Sequence, residues 1–343
     1  SRGLGDVYKE TDMPVAPKEF ISLGVPAYLC KTGASYVHNI RKEATGMIQS
    51  RRQKYGFLAF CIVPALLLFL IVTIYPLGYG LYMSFFKWSG ASSNREFIGL
   101  ANYARLFSDK LIPVSIYNDY FLVVVKMVFI MLLALLFAVA LTQMRIREAA
   151  VYRFVFFFPN IMPVASMAIL WLFIFSAKMG LLNGILDGIG LDTWTRAWLG
   201  SRETALPSMS APLIWAGVGL NMLLFMGAIG NIPSTVYEAA ELDGAVGARR
   251  FLHITMPLIW PQFKTALIYL IITTLNGSYV LVQLMTQGGP ANATLVMGSY
   301  LYQQAFVHYN FGYGATIGMM ILVITFATVL VMQRLLRRDD VEY

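Results

Sequence analysis

Charge is what this chain most lacks. Only 13% of its 343 residues are Asp, Glu, Lys or Arg and 58% are apolar, whereas a soluble domain carries roughly a quarter charged residues. The deficit is gathered into blocks. No acidic or basic side chain occurs from Tyr55 to Phe86, from Phe154 to Ala177, from Thr204 to Tyr237 or from Thr265 to Gln333. A helix crosses a bilayer with about 20 such residues, so a water-soluble fold is excluded. Cysteine and histidine are scarce too. Cys30 falls in a polar N-terminal extension and Cys61 in the first apolar block, which argues against a disulfide. His38, His253 and His308 have no partners at ligand spacing, so no metal site is expected.

Missing motifs narrow the chemistry. There is no phosphate-binding G-x-x-x-x-G-K-[ST]: Lys31-Thr32 follows Cys30, and Lys264-Thr265 follows Phe263. No Ser, His and Asp set and no paired carboxylates suggest catalysis, so the chain is not expected to be an enzyme. Within the predicted spans Lys126 is the exceptional charge, placed about two turns from the outer end of the second, where its stem can snorkel to the interface. A proton- or sodium-coupled carrier would bury Asp, Glu or His at mid-membrane. Their scarcity points to energy supplied by another subunit.

What is present predicts an all-α, polytopic membrane protein with six spans near 57–80, 120–143, 154–176, 211–231, 263–285 and 312–334. The charge-free stretch from Thr265 is divided at Gln287-Gly288-Gly289-Pro290, and residues 294–307 read as a surface helix in that outer loop. Lys and Arg collect at 41–54, at Arg145, Arg147 and Arg153, at Arg249, Arg250 and Lys264, and at Arg334, Arg337 and Arg338. By the positive-inside rule both termini are then cytoplasmic. The net charge of +8 is mostly this topology signal, and nucleic acid is not an expected partner. Three parts follow: a cytoplasmic extension over 1–55, the first span and outer loop over 56–119, and a five-span core over 120–343. The chain begins at Ser1, and residues 1–50 show no signal-peptide pattern. Residues 34–50 fit an amphipathic helix on the inner leaflet, with a flexible tail as the alternative.

The most specific segment is EAAELDGAVGARRFLHITMP, in the cytoplasmic loop at about 233–258. Thr235 and Glu238 have capping-box spacing, and Glu238 and Glu241 sit where the helix dipole favours negative charge. Gly244 after Asp243 allows a sharp turn, and Ala239 and Ala240 keep the surface small. Arg249 and Arg250 are placed to pair with acidic groups or lipid phosphates. The spacing Glu238-Ala239-Ala240, Gly244, Ile254, Met256-Pro257 resembles the EAA loop of ABC-importer permeases, with Met256 where Leu is usual. Phe97-Ile98-Gly99-Leu100 with Asn102-Tyr103, Arg153 to Pro159 with Pro163 and Trp171, Gly180-Leu181-Leu182-Asn183, and Thr286 to Pro290 with Thr294 are similar to the carbohydrate branch of that family.

The resemblance implies a permease subunit in a bacterial or archaeal cytoplasmic membrane. It implies a second homologous permease, an ATP-binding subunit dimer holding ATP and Mg, and an extracytoplasmic solute-binding protein that delivers a sugar. It casts Glu238, Ala239, Ala240, Asp243, Gly244, Arg249, Arg250, Ile254 and Pro257 as the coupling segment. In relatives the solute lies among spans four to six. Here the polar candidates are Asn276, Ser278, Tyr279 and Gln283 in span five, with Trp215 and Asn221 in span four and Thr316 and Thr325 in span six. Asn276, Tyr279 and Gln283 share a helix face, and Gly277 suggests local loosening. These groups would equally serve as interhelical hydrogen bonds. A polyol, glycerol phosphate or a peptide remains an alternative solute, although spans four to six hold no basic cluster for a phosphate. A stand-alone secondary carrier is a more distant alternative.

Overall fold

The computed structural model describes residues 51–90, 94–143 and 146–337. Cys30, His38 and the predicted helix at 34–50 lie outside them. The chain divides into two units, residues 1–76 and 77–343. In the first, α1 (Arg51–Phe69) passes into a π-helical turn at Leu70–Ile74, and α2 (Tyr75–Met83) begins at its end. Its apolar side chains are exposed from Tyr55 to Tyr75, as expected of a helix whose solvent is lipid or another chain.

In the second unit a short antiparallel pair, β1 (Phe86–Lys87) and β2 (Glu96–Phe97), sets Phe86 opposite Phe97. Then come α3 (Ala101–Ser108), α4 (Leu111–Gln143), α5 (Ala149–Ile161), α6 (Val164–Ile174), α7 (Leu181–Gly188), α8 (Ala205–Gly230), α9 (Ser234–Leu242), α10 (Trp260–Met285), α11 (Met297–Tyr302) and α12 (Phe311–Leu335). Among the described residues five helical segments are long and apolar enough to cross a membrane, or six if the bent pair α5 and α6 counts as one span.

Packing is set by stripes of small and branched side chains. Ile130, Ala134 and Ala138 of α4 recur every four residues, and meet Val218, Met222, Phe225 and Ile229 of α8 and Leu267, Leu270 and Ile271 of α10. Water is absent from the surroundings, so the gain comes from close van der Waals contact rather than from hydrophobic transfer. Gly219 shows how close: a Cβ there would lie 2.1 Å from the Phe156 carbonyl oxygen of α5. Gly217 meets the Ile130 side chain, whereas Gly227 has nothing within 4 Å.

Several expectations are corrected. The third span is two helices, α5 and α6, bent by 100°. Pro163 cannot donate to the preceding turn and forces Met162 into an extended conformation at ψ 136°. Span two starts at Leu111 rather than near 120, because Ser115, Asn118 and Asp119 are buried against outer segments instead of facing water. The lengthening moves Lys126 inward. It is buried near the middle of its helix and does not snorkel. The helix in the last outer loop does not lie on the surface either. Met297, Ser299 and Tyr300 of α11 are buried, and Asp119 Oδ2 accepts the Met297 amide at 2.9 Å. Finally, α10 runs unbroken through Gly277.

Gly219→Val should therefore destabilise the protein by roughly 3 kcal/mol through forced separation of α5 and α8. Gly227→Val should leave melting of the detergent-purified chain nearly unchanged, and equal melting temperatures for the two variants would contradict this packing.

Candidate functional site

A cavity of about 730 Å³ opens between α10, α11 and α12. Three sequence candidates, Asn276, Tyr279 and Thr325, line it together with Tyr302 and Phe306. Asn276 and Tyr279 are exposed, three residues apart on one face of α10. Asn276 Nδ2 donates to the Ile272 carbonyl at 2.9 Å, so its Oδ1 is the group offered to a ligand. Thr325 Oγ1 is buried with no hydrogen-bond partner among the described residues. The rings of Tyr302 and Phe306 are tilted against each other at 5.2 Å. Aromatic faces beside an amide and a hydroxyl suit a ligand with alternating C–H and O–H surfaces.

The other candidates are placed elsewhere. Ser278 is on the buried side of α10 and donates to the Thr274 carbonyl at 2.7 Å. Thr316 is fully buried and donates to the Gly312 and Ser84 carbonyls. Trp215 packs edge-on to Trp171 at 6.0 Å. Gln283 does not reach the cavity lining, and its Oε1 is buried without a partner. Asn221 borders a different pocket, with Lys126. Tyr302 and Phe306 were missed because their segment reads from sequence as a surface helix. The aromatic content of that helix was the available signal.

At the end opposite the outer loop, α9 presents Glu238, Ala239, Glu241 and Leu242 to the exterior, Leu242 being 91% exposed. Ala240 is buried beneath them. The expected capping box is absent: the helix starts at Ser234 behind Pro233, with no side-chain cap, since proline's fixed φ already presets the first turn. Gly244 takes φ +72° and reverses the chain, its amide bonding the Glu241 carbonyl at 3.1 Å. Asp243, Arg249 and Val246 are exposed, and Ile254 and Pro257 are half-buried. Arg250 turns inward. Its Nη2 donates to Gln143 Oε1 at 3.2 Å and its guanidinium lies 5.4 Å from the Tyr237 ring. Gln143 Nε2 in turn donates to Tyr237 Oη at 3.3 Å, and that hydroxyl lies 3.4 Å from Thr255 Oγ1. The exposed helix is thus braced to the last residue of α4 and to the segment entering α10.

The N-terminal end of α4 is tied to α11 and α12 by Asp109. Its Oδ2 accepts from Tyr300 Oη and, at 2.6 Å, from Tyr313 Oη, while Arg105 lies over the Tyr313 ring at 4.0 Å. Burial works against the Asp109 charge. Hydrogen bonds from Tyr300, Tyr313 and the Leu111 amide, with Arg105 nearby, outweigh it and hold the carboxyl below its usual 3.8. Burial, then the bond to Asp109, pushes the Tyr300 phenol up to about 12.

This fold, a broken third span and an exposed loop helix among membrane-spanning helices, defines an importer-type permease. Residues 130–339 match the family "Binding-protein-dependent transport system inner membrane component", and the chain belongs to that family. It is a multi-pass inner-membrane component of a transport system. It is 36% identical over 278 residues to the "Diacetylchitobiose uptake system permease protein NgcF" of Streptomyces coelicolor, covering 78% of each chain. It is 35% identical to the "Probable ABC transporter permease protein YurN" of Bacillus subtilis, covering 82% of this chain and 96% of the other. A bacterial ABC transporter involved in the import of the acidic polysaccharide alginate has a chain of the same fold, with TM-score 0.72 at 22% identity over 83% of this chain and 96% of that one.

Asp109→Ala should destabilise the purified protein by roughly 2 kcal/mol at pH 6, because two phenol hydroxyls lose a charged acceptor. The depressed pKa means that this stabilisation is present above pH 3.8 and is lost as pH falls through the lower folded value. The gap in melting temperature between wild type and variant should shrink as pH falls below 3.8 and through the lower folded value, and a gap that stays constant with pH would contradict the assignment. Tyr279→Ala or Asn276→Ala should reduce uptake at least tenfold while leaving assembly of the transporter intact. Loss of assembly instead would make these residues packing contacts.

Proposed function

We propose that this chain is one transmembrane half of an ATP-driven importer for a sugar or oligosaccharide, and that α9 is the helix through which a separate ATPase drives it. The observation that carries the reading is the geometry of α9: an exposed acidic and apolar knob on a rigid brace. Leu242, Val246 and Leu252 are exposed beside Glu238, Glu241 and Asp243. Such a surface suits insertion into a groove of a partner, with Leu242 as the apolar anchor and carboxylates for basic groups at the rim. Through Tyr237, Gln143 and Arg250 a push on α9 reaches α4, and through Thr255 it reaches α10. Of the two, α10 lines the cavity that would hold the solute, and α4 packs against α10. ATP and Mg would sit on the partner, and a second permease would close the open side of the path.

The names of relatives support a carbohydrate solute: diacetylchitobiose for the Streptomyces protein, lactose for a permease of Rhizobium radiobacter that is 27% identical, and alginate for the protein of like fold. The aromatic and amide lining of the cavity fits the same class, since sugar rings stack on aromatic faces. An external binding protein delivers the solute in this reading, and the chain lies with both termini on the ATPase side.

Glu238→Lys puts repulsion at the docking surface. In the reconstituted complex it should cut uptake at least tenfold while the ATPases still hydrolyse ATP or dissociate. Parallel assays of hydrolysis and uptake decide the matter, and uptake at the wild-type rate would overturn the coupling role of α9.

A further inference from the structure

Lys126 belongs to neither the large cavity nor the loop. It falls near the midpoint of α4 (Leu111–Gln143), more than about 20 Å from either end at 1.5 Å per residue. No lysine stem spans that distance. The side chain is 8% exposed and borders a second pocket, of about 280 Å³, with Asn160, Met162, Asn221, Tyr269 and Thr273. Four parts of the fold converge there: α4, the bend between α5 and α6, α8 and α10. The sharp turn at Met162-Pro163 is what opens the space.

The polar groups of this pocket are under-used. Asn221 Nδ2 donates to the Gly217 carbonyl at 2.8 Å, but its Oδ1 is buried without a partner. Asn160 Nδ2 donates to the Ala216 carbonyl at 3.3 Å. No hydrogen bond or ion pair reaches the Lys126 ammonium among the described residues. Asp119 lies on the same stripe of α4, but about 10 Å away along the axis, and it accepts the Met297 amide. A buried cation without a counter-charge costs several kcal/mol, and an ionisable group at this depth marks a pathway more often than a scaffold. The pocket also touches that pathway. Tyr269, Thr273 and Asn276 follow one another at four and three residues along α10, so its mouth adjoins the face bearing Asn276 and Tyr279.

We propose that Lys126 and Asn221 form an anion-recognition subsite of the transport path, which receives a carboxylate, sulfonate or phosphate carried by the solute. The ammonium donates to the acid group, and Asn221 Oδ1 accepts from a neighbouring hydroxyl. The sugar this chain moves is then an acidic one. This rests on the importer reading above; spans four to six still hold no basic cluster, and the cation is supplied by span two. Lipid phosphates are not the ligand, because they lie at the membrane surface and not at mid-depth.

The test uses the assembled transporter in nanodiscs, with cellobiose and its uronic acid counterpart as probes and ligand-induced melting shifts as the readout. The acidic sugar should bind at least tenfold more tightly than the neutral one. Lys126→Gln should abolish that preference while leaving cellobiose binding in place, and Lys126→Arg should keep part of it. Equal behaviour of the two sugars with wild type, or a preference that survives Lys126→Gln, overturns the subsite. So does a Lys126→Gln complex that assembles only after a carboxylate on the second permease is neutralised, because the lysine would then pair across the subunit interface. Glu238→Lys in the same nanodiscs reads the importer assignment separately. Uncoupling there, with no sugar preference at Lys126, would sink the subsite alone.

Discussion

Inside a bilayer no water is available to bond a free amide or carbonyl, and the architecture of this chain follows from that constraint. Every crossing segment is helical, and the π-helical turn at Leu70–Ile74 keeps its backbone bonded although its side chains are exposed. The break at Met162-Pro163 sits against α8, and the backbone contact at Gly219 closes that junction. The segment around α11 folds back into the protein because Asn118 and Asp119 supply partners for its N-terminal end, on the Leu295 carbonyl and the Met297 amide. Without those two side chains, buried backbone groups would be left without partners.

The same constraint gives meaning to polar groups that are not consumed in packing. Ser278 and Thr316 return their hydrogen bonds to helix carbonyls and disappear into the scaffold. Asn276 and Asn221 spend only their amide nitrogens in this way and keep their Oδ1 atoms, Thr325 Oγ1 has no partner among the described residues, and with Lys126 these groups border two pockets on neighbouring faces of α10. In the proposed reading, a path for a hydroxylated solute is assembled from such leftovers. Its aromatic components, Tyr279, Tyr302 and Phe306, contribute flat surface at little conformational cost.

Communication between the loop and this path follows from bracing as well. Tyr237 and Arg250 bind the loop to Gln143, which ends α4, and Thr255 leads into α10. Both helices contribute to the core stripe of Ile130, Ala134, Leu267 and Ile271. Displacement of α9 is carried by close-packed elements rather than absorbed by a flexible loop.

Much of this was legible in the sequence, because span length, charge deficit and the Glu238-Ala239-Ala240 spacing are one-dimensional properties. Bilayer thickness converts a charge-free run into a crossing helix without reference to any other part of the chain. The shared face of Asn276 and Tyr279 was legible for the same reason, since helix periodicity is local. Whether a polar residue meets a cavity or a carbonyl depends on its neighbours in space. That is why Gln283 and Ser278 could not be separated from Asn276 beforehand, and why Tyr302 and Phe306 went unnoticed. The depth of Lys126 needed the start of α4, which the polar residues from Ser115 to Asp119 concealed by imitating an outer loop. Local composition determined the spans and the exposed loop. Only tertiary packing decided which polar groups stay free inside the membrane, because a hydrogen bond is satisfied or left open by whatever the fold brings next to it.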